Sequence, residues 1–194
     1  AITVGAPTLC LGLHKMPGSA PSSASFWATP PEARTPTDKD FSDISTPLAA
    51  LCKRAQAVGI SVVIEMNEHA IIDRAAHVLR LLEMTDAPNL GVNPDLGNLS
   101  RVTSPMIETW YETLEPLAHL TRYWHVKNNL RMDHPDGFAV THPCAMDAGI
   151  IDYREAFKIL NARGFSGPVI IESYWGDRIS ALGAAKKYLE EIAR

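Results

Sequence analysis

Residues 60–65 read ISVVIE, an almost continuously apolar run that ends in a carboxylate. Such a run is typical of a parallel strand that helices cover on both faces. The preceding segment, Ser45 to Gly59, has a hydroxyl N-cap, Pro47 at the first helical position, apolar residues at helical spacing and a terminal glycine. The two segments together predict a helix that leads directly into a buried strand.

This alternation recurs along the chain. Further helices are predicted over about 70–83, 104–117, 152–164 and 179–193. Further strands are predicted over about 2–7, 90–93, 122–126 and 168–172. No two-residue hairpin turn joins any of them, so we expect a parallel α/β sheet of about five βα units.

Residues 1–194 are interpreted as a single domain. A proline-rich, irregular insertion is predicted at about 11–44, and a second irregular segment at about 128–150. No glycine-rich phosphate loop follows any predicted strand, which removes the usual reason for an open doubly wound sheet and favours a barrel.

Composition excludes several classes of protein. The chain has 194 residues, 46% of them apolar, a net charge of -4 and no apolar run of the roughly 18 residues that a membrane helix needs. The acidic balance and the scattered lysines and arginines argue against a nucleic-acid partner. The three cysteines show no C-x-x-C spacing, which predicts reduced thiols and a cytoplasmic location.

Four polar residues stand at the ends of separate predicted strands: Glu65, Asp95, His125 and Glu172. The carboxyl ends of parallel barrel strands share one rim, so these side chains are expected to converge. Three carboxylates crowded at one rim repel one another unless a cation neutralises them. The oxygen-rich set with one imidazole is typical of Mn, Mg or Co sites and also accepts Zn.

Five motifs, in this order and spacing, resemble the xylose-isomerase-like TIM-barrel superfamily, the sugar-phosphate isomerase and epimerase group that includes D-tagatose 3-epimerase-type ketose epimerases. They span about residues 45–194. The motifs are Val63-Ile64-Glu65-Met66-Asn67, Val92-Asn93-Pro94-Asp95, His125-Val126-Lys127-Asn128, Ala148-Gly149-Ile150-Ile151-Asp152 and Gly164-Phe165-Ser166-Gly167-Pro168-Val169-Ile170-Ile171-Glu172.

The resemblance implies that the four strand-end residues bind the divalent metal and that Glu65 and Glu172 also act as acid and base. Arg131 matches a substrate-contacting arginine of the ketose epimerases. Asn98 stands where many relatives have a histidine, so it is expected to keep a polar substrate contact. Lys127 points by strand alternation to the same mouth as His125 and is a further candidate contact.

A complete (β/α)8 barrel needs roughly 250 residues. The family's metal-binding strands are its last four. We therefore expect a barrel that is incomplete at its N-terminal side and that contains about the last five βα units.

The chemistry implied is metal-assisted proton abstraction next to the carbonyl of a sugar or sugar phosphate, through an enediolate, in an isomerase or epimerase. Two alternatives stay open: a dehydratase of the keto-cyclitol or dehydroshikimate type, and a non-catalytic sugar-binding barrel. The trinuclear zinc endonuclease branch is disfavoured, because Asn98 replaces one of its histidines and no D-x-H follows His125. The oligomeric state stays open and includes a homo-oligomer.

Overall fold

The structure is a computed structural model that describes residues 2–13 and 35–193. Its strands are β1 (Thr8–Gly12), β2 (Ser61–Glu65), β3 (Leu90–Asn93), β4 (Trp124–Val126), β5 (Asn128–Asp133), β6 (Ala139–Cys144) and β7 (Val169–Ile171). Its α-helices are α1 (Asp38–Gln56), α2 (Ala75–Thr85), α3 (Leu96–Ser100), α4 (Trp110–Leu117), α5 (Tyr153–Ala162) and α6 (Arg178–Ile192). Short 3-10 helices cover Ile2–Val4 and Ala118–Leu120.

Five of the described strands run parallel, in a three-stranded sheet and a two-stranded sheet that together form one arc. β1 pairs with β2 and β2 with β3, while β4 pairs with β7. A parallel bridge between Val92 and Thr121 joins β3 to the segment that leads into β4. The order β1-β2-β3-β4-β7, with helices between most of the strands, confirms the predicted α/β class and the parallel sheet.

The helices cover the outer face of this arc in two apolar clusters. One cluster lies between α1, α2 and the first three strands and includes Val62 and Ile64. The other lies between α4, α5, α6 and the last two parallel strands and includes Trp124 and Val126. Because successive strand residues point to opposite faces, His125 points away from the helices, to the inner side of the arc.

The first helix begins earlier than predicted, and the first strand begins later. α1 begins at Asp38 because Thr37 and Asp40 form a capping box, so Ser45 is not its cap and Pro47 lies inside the helix. The first strand is β1, not residues 2–7. The predicted insertion at 11–44 is therefore too long at both ends, and its residues 14–34 lie outside the described part of the chain.

The segment predicted as irregular at 128–150 contains an antiparallel hairpin. β5 pairs with β6 from Asn128 opposite Cys144 to Asp133 opposite Ala139. The connection is a five-residue loop, in which Gly137 takes a φ of 83° and its N–H donates to the His134 carbonyl at 3.0 Å. The hairpin therefore lacks the two-residue turn signal that predicts a hairpin from sequence.

Helix boundaries elsewhere differ by several residues. α4 begins at Trp110 behind a Thr109–Glu112 capping box, so Ser104-Pro105 does not start it. α2 begins at Ala75. In α6, Leu189 is buried, whereas Ile179 is 83% exposed.

Among the described helices, none combines the length and apolarity that crossing a membrane requires.

Candidate metal centre

The structure brings Glu65, Asp95, His125 and Glu172 together, with one donor atom of each within 4.8 Å of all the others. Nδ1 of His125 lies 3.1 Å from Glu65 Oε1, 3.4 Å from Glu172 Oε1 and 3.7 Å from Asp95 Oδ2. Ligands about 2.1 Å from a shared divalent ion stand roughly 3–4.3 Å apart. The separations from His125 therefore suit one ion.

Each of the four side chains is held at the carboxyl end of a parallel strand. Glu65 is the last residue of β2. Asp95 follows β3 and caps α3, with its Oδ1 accepting the Asn98 N–H at 3.1 Å. The N–H of Glu172, just after β7, donates to the Val126 carbonyl at 3.0 Å, which fixes it beside β4. The ladder between neighbouring strands thus sets the positions of the donor atoms.

Asn98 is buried directly beside the cluster. Its Nδ2 lies 3.2 Å from Glu65 Oε1, 3.1 Å from the Met66 carbonyl and 3.0 Å from Asn67 Oδ1. An asparagine amide has two N–H donors, so these three acceptors share them. Asn98 therefore orients the Glu65 carboxylate with a neutral group.

Lys127 also reaches the cluster. Its Nζ lies 2.6 Å from Asp95 Oδ2 and makes a short contact with Glu172 Oε2. The hydroxyl of Tyr174 donates to the same Glu172 oxygen at 3.2 Å. Lys127 is therefore a cationic partner of two of the three carboxylates.

Arg131 lies in β5, and its guanidinium binds the segment after α3. It donates to the carbonyls of Val102 at 2.6 Å and Ser104 at 2.8 Å, and it lies 2.7 Å from an Asp133 carboxylate oxygen. Its side chain is only 2% exposed. These contacts fasten the β5–β6 hairpin to the rim.

Charge and burial oppose each other at the cluster. Burial alone would lower the pKa of His125, but hydrogen bonds and the charges of Asp95 and Glu65 outweigh it and raise that pKa to about 9. Burial likewise opposes ionisation of Asp95, yet Lys127 and the hydrogen bonds bring the pKa of Asp95 below its usual value. The charges of Asp95 and Glu172 outweigh burial and raise the pKa of Lys127.

The donor set fits a divalent cation. Without an ion, protonated His125 and Lys127 face three carboxylates, and an ion would take the place of the imidazole proton. Carboxylate oxygens with one imidazole suit Mg, Mn or Co, and Zn also accepts them. The residues at this rim could therefore hold one such ion.

Two residues that the sequence reasoning missed hold this geometry in place. Asn93 ends β3 fully buried, and its Oδ1 accepts the His125 N–H at 2.8 Å. The Tyr153 hydroxyl, buried in α5, accepts the Lys127 N–H at 3.0 Å and donates to the Lys127 carbonyl at 2.7 Å. An amide at the end of a wholly buried strand was the available signal for Asn93. Nothing local marks Tyr153.

Two kinds of enzyme appear among the proteins that this chain resembles. A ketose 3-epimerase from Arthrobacter globiformis is 28% identical over 124 residues, which are 62% of this chain and 37% of that protein. The structure of a probable 3-DHS dehydratase from Bacillus anthracis has a TM-score of 0.59 at 17% identity and matches 79% of this chain and 58% of that chain.

A third relative has a closer overall shape. The structure of a xylose isomerase-like TIM barrel protein from Mycobacterium smegmatis, in complex with magnesium, has a TM-score of 0.85 at 24% identity. It covers 100% of this chain, and this chain covers 63% of it. The present chain thus spans less than two thirds of the length of each of these relatives. The likeness to the solved structures shows a shared fold.

The family model described as xylose isomerase-like TIM barrel matches residues 2–194. The parallel arc and the fold likeness agree with that match. The chain belongs to the xylose isomerase-like TIM barrel family.

Proposed function

We propose that this chain carries the metal-binding and proton-transfer residues of a divalent-metal-dependent sugar isomerase or epimerase. The observation that carries the proposal is the convergence of four donor atoms from four strand ends within 4.8 Å. The similarity to a ketose 3-epimerase supports a keto sugar, with or without a phosphate, as the substrate class.

Glu65, Asp95, His125 through Nδ1, and Glu172 would hold the ion, which we expect to be Mn, Mg or Co, with Zn also accepted. A divalent ion at this position supplies Lewis acidity, which polarises a sugar carbonyl and so acidifies the neighbouring C–H.

Glu65 and Glu172 are the proposed acid and base. They come from the end of β2 and from just after β7, which stand on either side of β3 and β4 in the parallel arc. Carboxylates that approach a carbon from two sides can remove a proton from one face and return one to the other, which inverts the centre. Asn98 holds Glu65, and Tyr174 holds Glu172, in orientations fixed before substrate binds.

Direct contact with the sugar stays a prediction for Asn98, Lys127 and Arg131. In the structure, the polar atoms of Asn98 and Lys127 bind the carboxylates of the cluster. Those of Arg131 bind carbonyls at the rim. A sugar that reaches these side chains must share donors that are already engaged.

The test is proton exchange in D2O. The protein is incubated with Mn2+ and a panel of 2-ketoses and their phosphates, and NMR follows loss of the C–H signal beside the carbonyl. We expect deuterium incorporation together with an epimeric or isomeric sugar. Glu65→Gln and Glu172→Gln should each abolish both, whereas Glu190→Gln, at an exposed site of α6, should change neither.

Other outcomes separate the alternatives. A rise in ultraviolet absorption from an enone, without an epimer, would replace the proposal with a dehydratase. Saturable sugar binding with no exchange under any of the metals would identify a non-catalytic sugar-binding barrel.

A further inference from the structure

Lys127 has an unusual environment for a lysine. Its side chain is only 6% exposed, and its ammonium lies between Asp95, which is fully buried, and Glu172. An ammonium withdrawn from water is tolerated only where ionic partners and hydrogen bonds replace its hydration. This lysine therefore belongs to the charge balance of the cluster.

The residues around Lys127 pack closely against it and leave a space, its seat, that its side chain fills. A Cβ on Gly97 in α3 would lie 2.2 Å from Lys127 Cγ and 2.8 Å from its carbonyl oxygen, so only glycine leaves room for the stem. Tyr153 binds both the N–H and the carbonyl of Lys127. The centre of the Tyr174 ring lies 5.7 Å from Lys127 Nζ. Contacts from α3, from α5 and from the segment after β7 thus fix the lysine, in addition to its ion pairs.

The two oxygens of Glu172 have different partners. Oε2 is taken by the Lys127 ammonium and by the Tyr174 hydroxyl. Oε1 lies 3.4 Å from His125 Nδ1, on the side where the four donor atoms converge. A carboxylate held in this way has one oxygen left to offer an ion.

We propose that Lys127 is a positioning residue that restricts Glu172 to a single ligating oxygen, Oε1, and that makes the ion-loaded site electrically neutral. Three carboxylates are balanced by one divalent ion and one ammonium, with His125 neutral as a ligand. This inference rests on the proposed metal site and adds to it a residue that ligates nothing and shapes the ligand set.

The test is the visible spectrum of the Co2+-loaded protein, because the intensity of the Co2+ bands falls as the coordination number rises. Lys127→Met removes the charge and keeps most of the stem. It leaves only the 3.2 Å hydrogen bond from Tyr174 on Glu172 Oε2, so Glu172 should bind the ion through both oxygens and the bands should weaken by about two-fold, since geometry determines the spectrum. Lys158→Met, at a lysine with a 70% exposed side chain, is the control and should match the unchanged protein.

Lys127→Gln serves if Lys127→Met does not fold, because the amide fills the same seat with a neutral group. It should weaken the bands in the same direction. Folded Lys127→Met or Lys127→Gln protein whose Co2+ spectrum equals that of Lys158→Met would overturn the inference and leave the metal site standing. Failure of the unchanged protein to bind Co2+, Mn2+ or Mg2+ would overturn the proposed function and this inference together.

Discussion

The side-chain oxygen of Asn93 accepts the backbone N–H of His125 at 2.8 Å. This bond joins the ends of β3 and β4, where the backbone ladder is reduced to the Val92–Thr121 bridge, which includes the bond from Arg122 N–H to the Val92 carbonyl. The Asn93 amide also lies 3.6 Å from Cys10 Sγ in β1. A single buried amide therefore fixes the backbone of His125 at the rim where the donor atoms converge.

Asn93→Ala should lower both stability and metal affinity. It leaves the His125 N–H without its acceptor in a buried place, which costs about 1–3 kcal/mol of unfolding free energy. Urea denaturation measures the first effect and calorimetric Mn2+ titration the second. Asn161→Ala, at an exposed position of α5, is the matched control, and equal behaviour of the two variants would contradict this role of Asn93.

Metal binding near neutral pH should release about one proton. The pKa of His125 is raised to about 9, so the imidazole is protonated below that pH, and a ligating nitrogen must be neutral. Affinity should therefore rise as pH increases toward 9. Titration calorimetry at pH 7.5 in buffers of different ionisation enthalpy counts the proton. An enthalpy that is independent of the buffer would contradict the prediction.

Alkaline conditions should destabilise the fold through Tyr153. Burial raises the pKa of its phenol well above the usual value, and the charge of Asp95 adds to this. The unfolded phenol ionises near pH 10. The folded phenol stays neutral there, so its contribution is complete below pH 10 and is lost as pH rises further.

Urea midpoints measured between pH 8 and pH 12 test this. The fall above pH 10 should be shallower in Tyr153→Phe than in Tyr111→Phe, which changes a half-exposed tyrosine of α4. Parallel curves for the two variants would assign the alkaline loss to other groups.

Arg131→Met should act on stability before it acts on substrate. Without the guanidinium, the carbonyls of Val102 and Ser104 lose their hydrogen-bond donor. We expect a loss of about 1–3 kcal/mol of unfolding free energy. Arg178→Met, at an exposed position of α6, should show no such loss. An Arg131→Met protein of undiminished stability with a higher KM would instead make Arg131 a direct sugar contact.

Local sequence patterns were sufficient to predict the parallel part of the fold. Strand β2 could be predicted because a strand that helices cover on both faces is apolar along most of its length and does not alternate between apolar and polar residues. Strand β3 could be predicted for the same reason. The convergence of the strand ends followed from parallel topology, which places every carboxyl end on one rim.

The remaining features depend on competition between local signals or on contacts between distant residues. Thr37 starts α1 because it pairs with Asp40, yet Pro47 gives a stronger local start signal. The β5–β6 hairpin is secured partly by Arg131 reaching across to residues 102–104. The partners of Lys127 lie just after β3, just after β7 and on α5, and no periodicity within one segment reveals such a set.

The proposed function depends on the four strand-end residues sharing one ion. The most direct measurement is anomalous diffraction from crystals soaked in Mn2+. We predict one strong peak per chain, about 2.2 Å from Glu65, Asp95, Nδ1 of His125 and Oε1 of Glu172. A saturating soak with no peak between these four side chains, or with the ion bound elsewhere in the chain, would rule out the shared metal site.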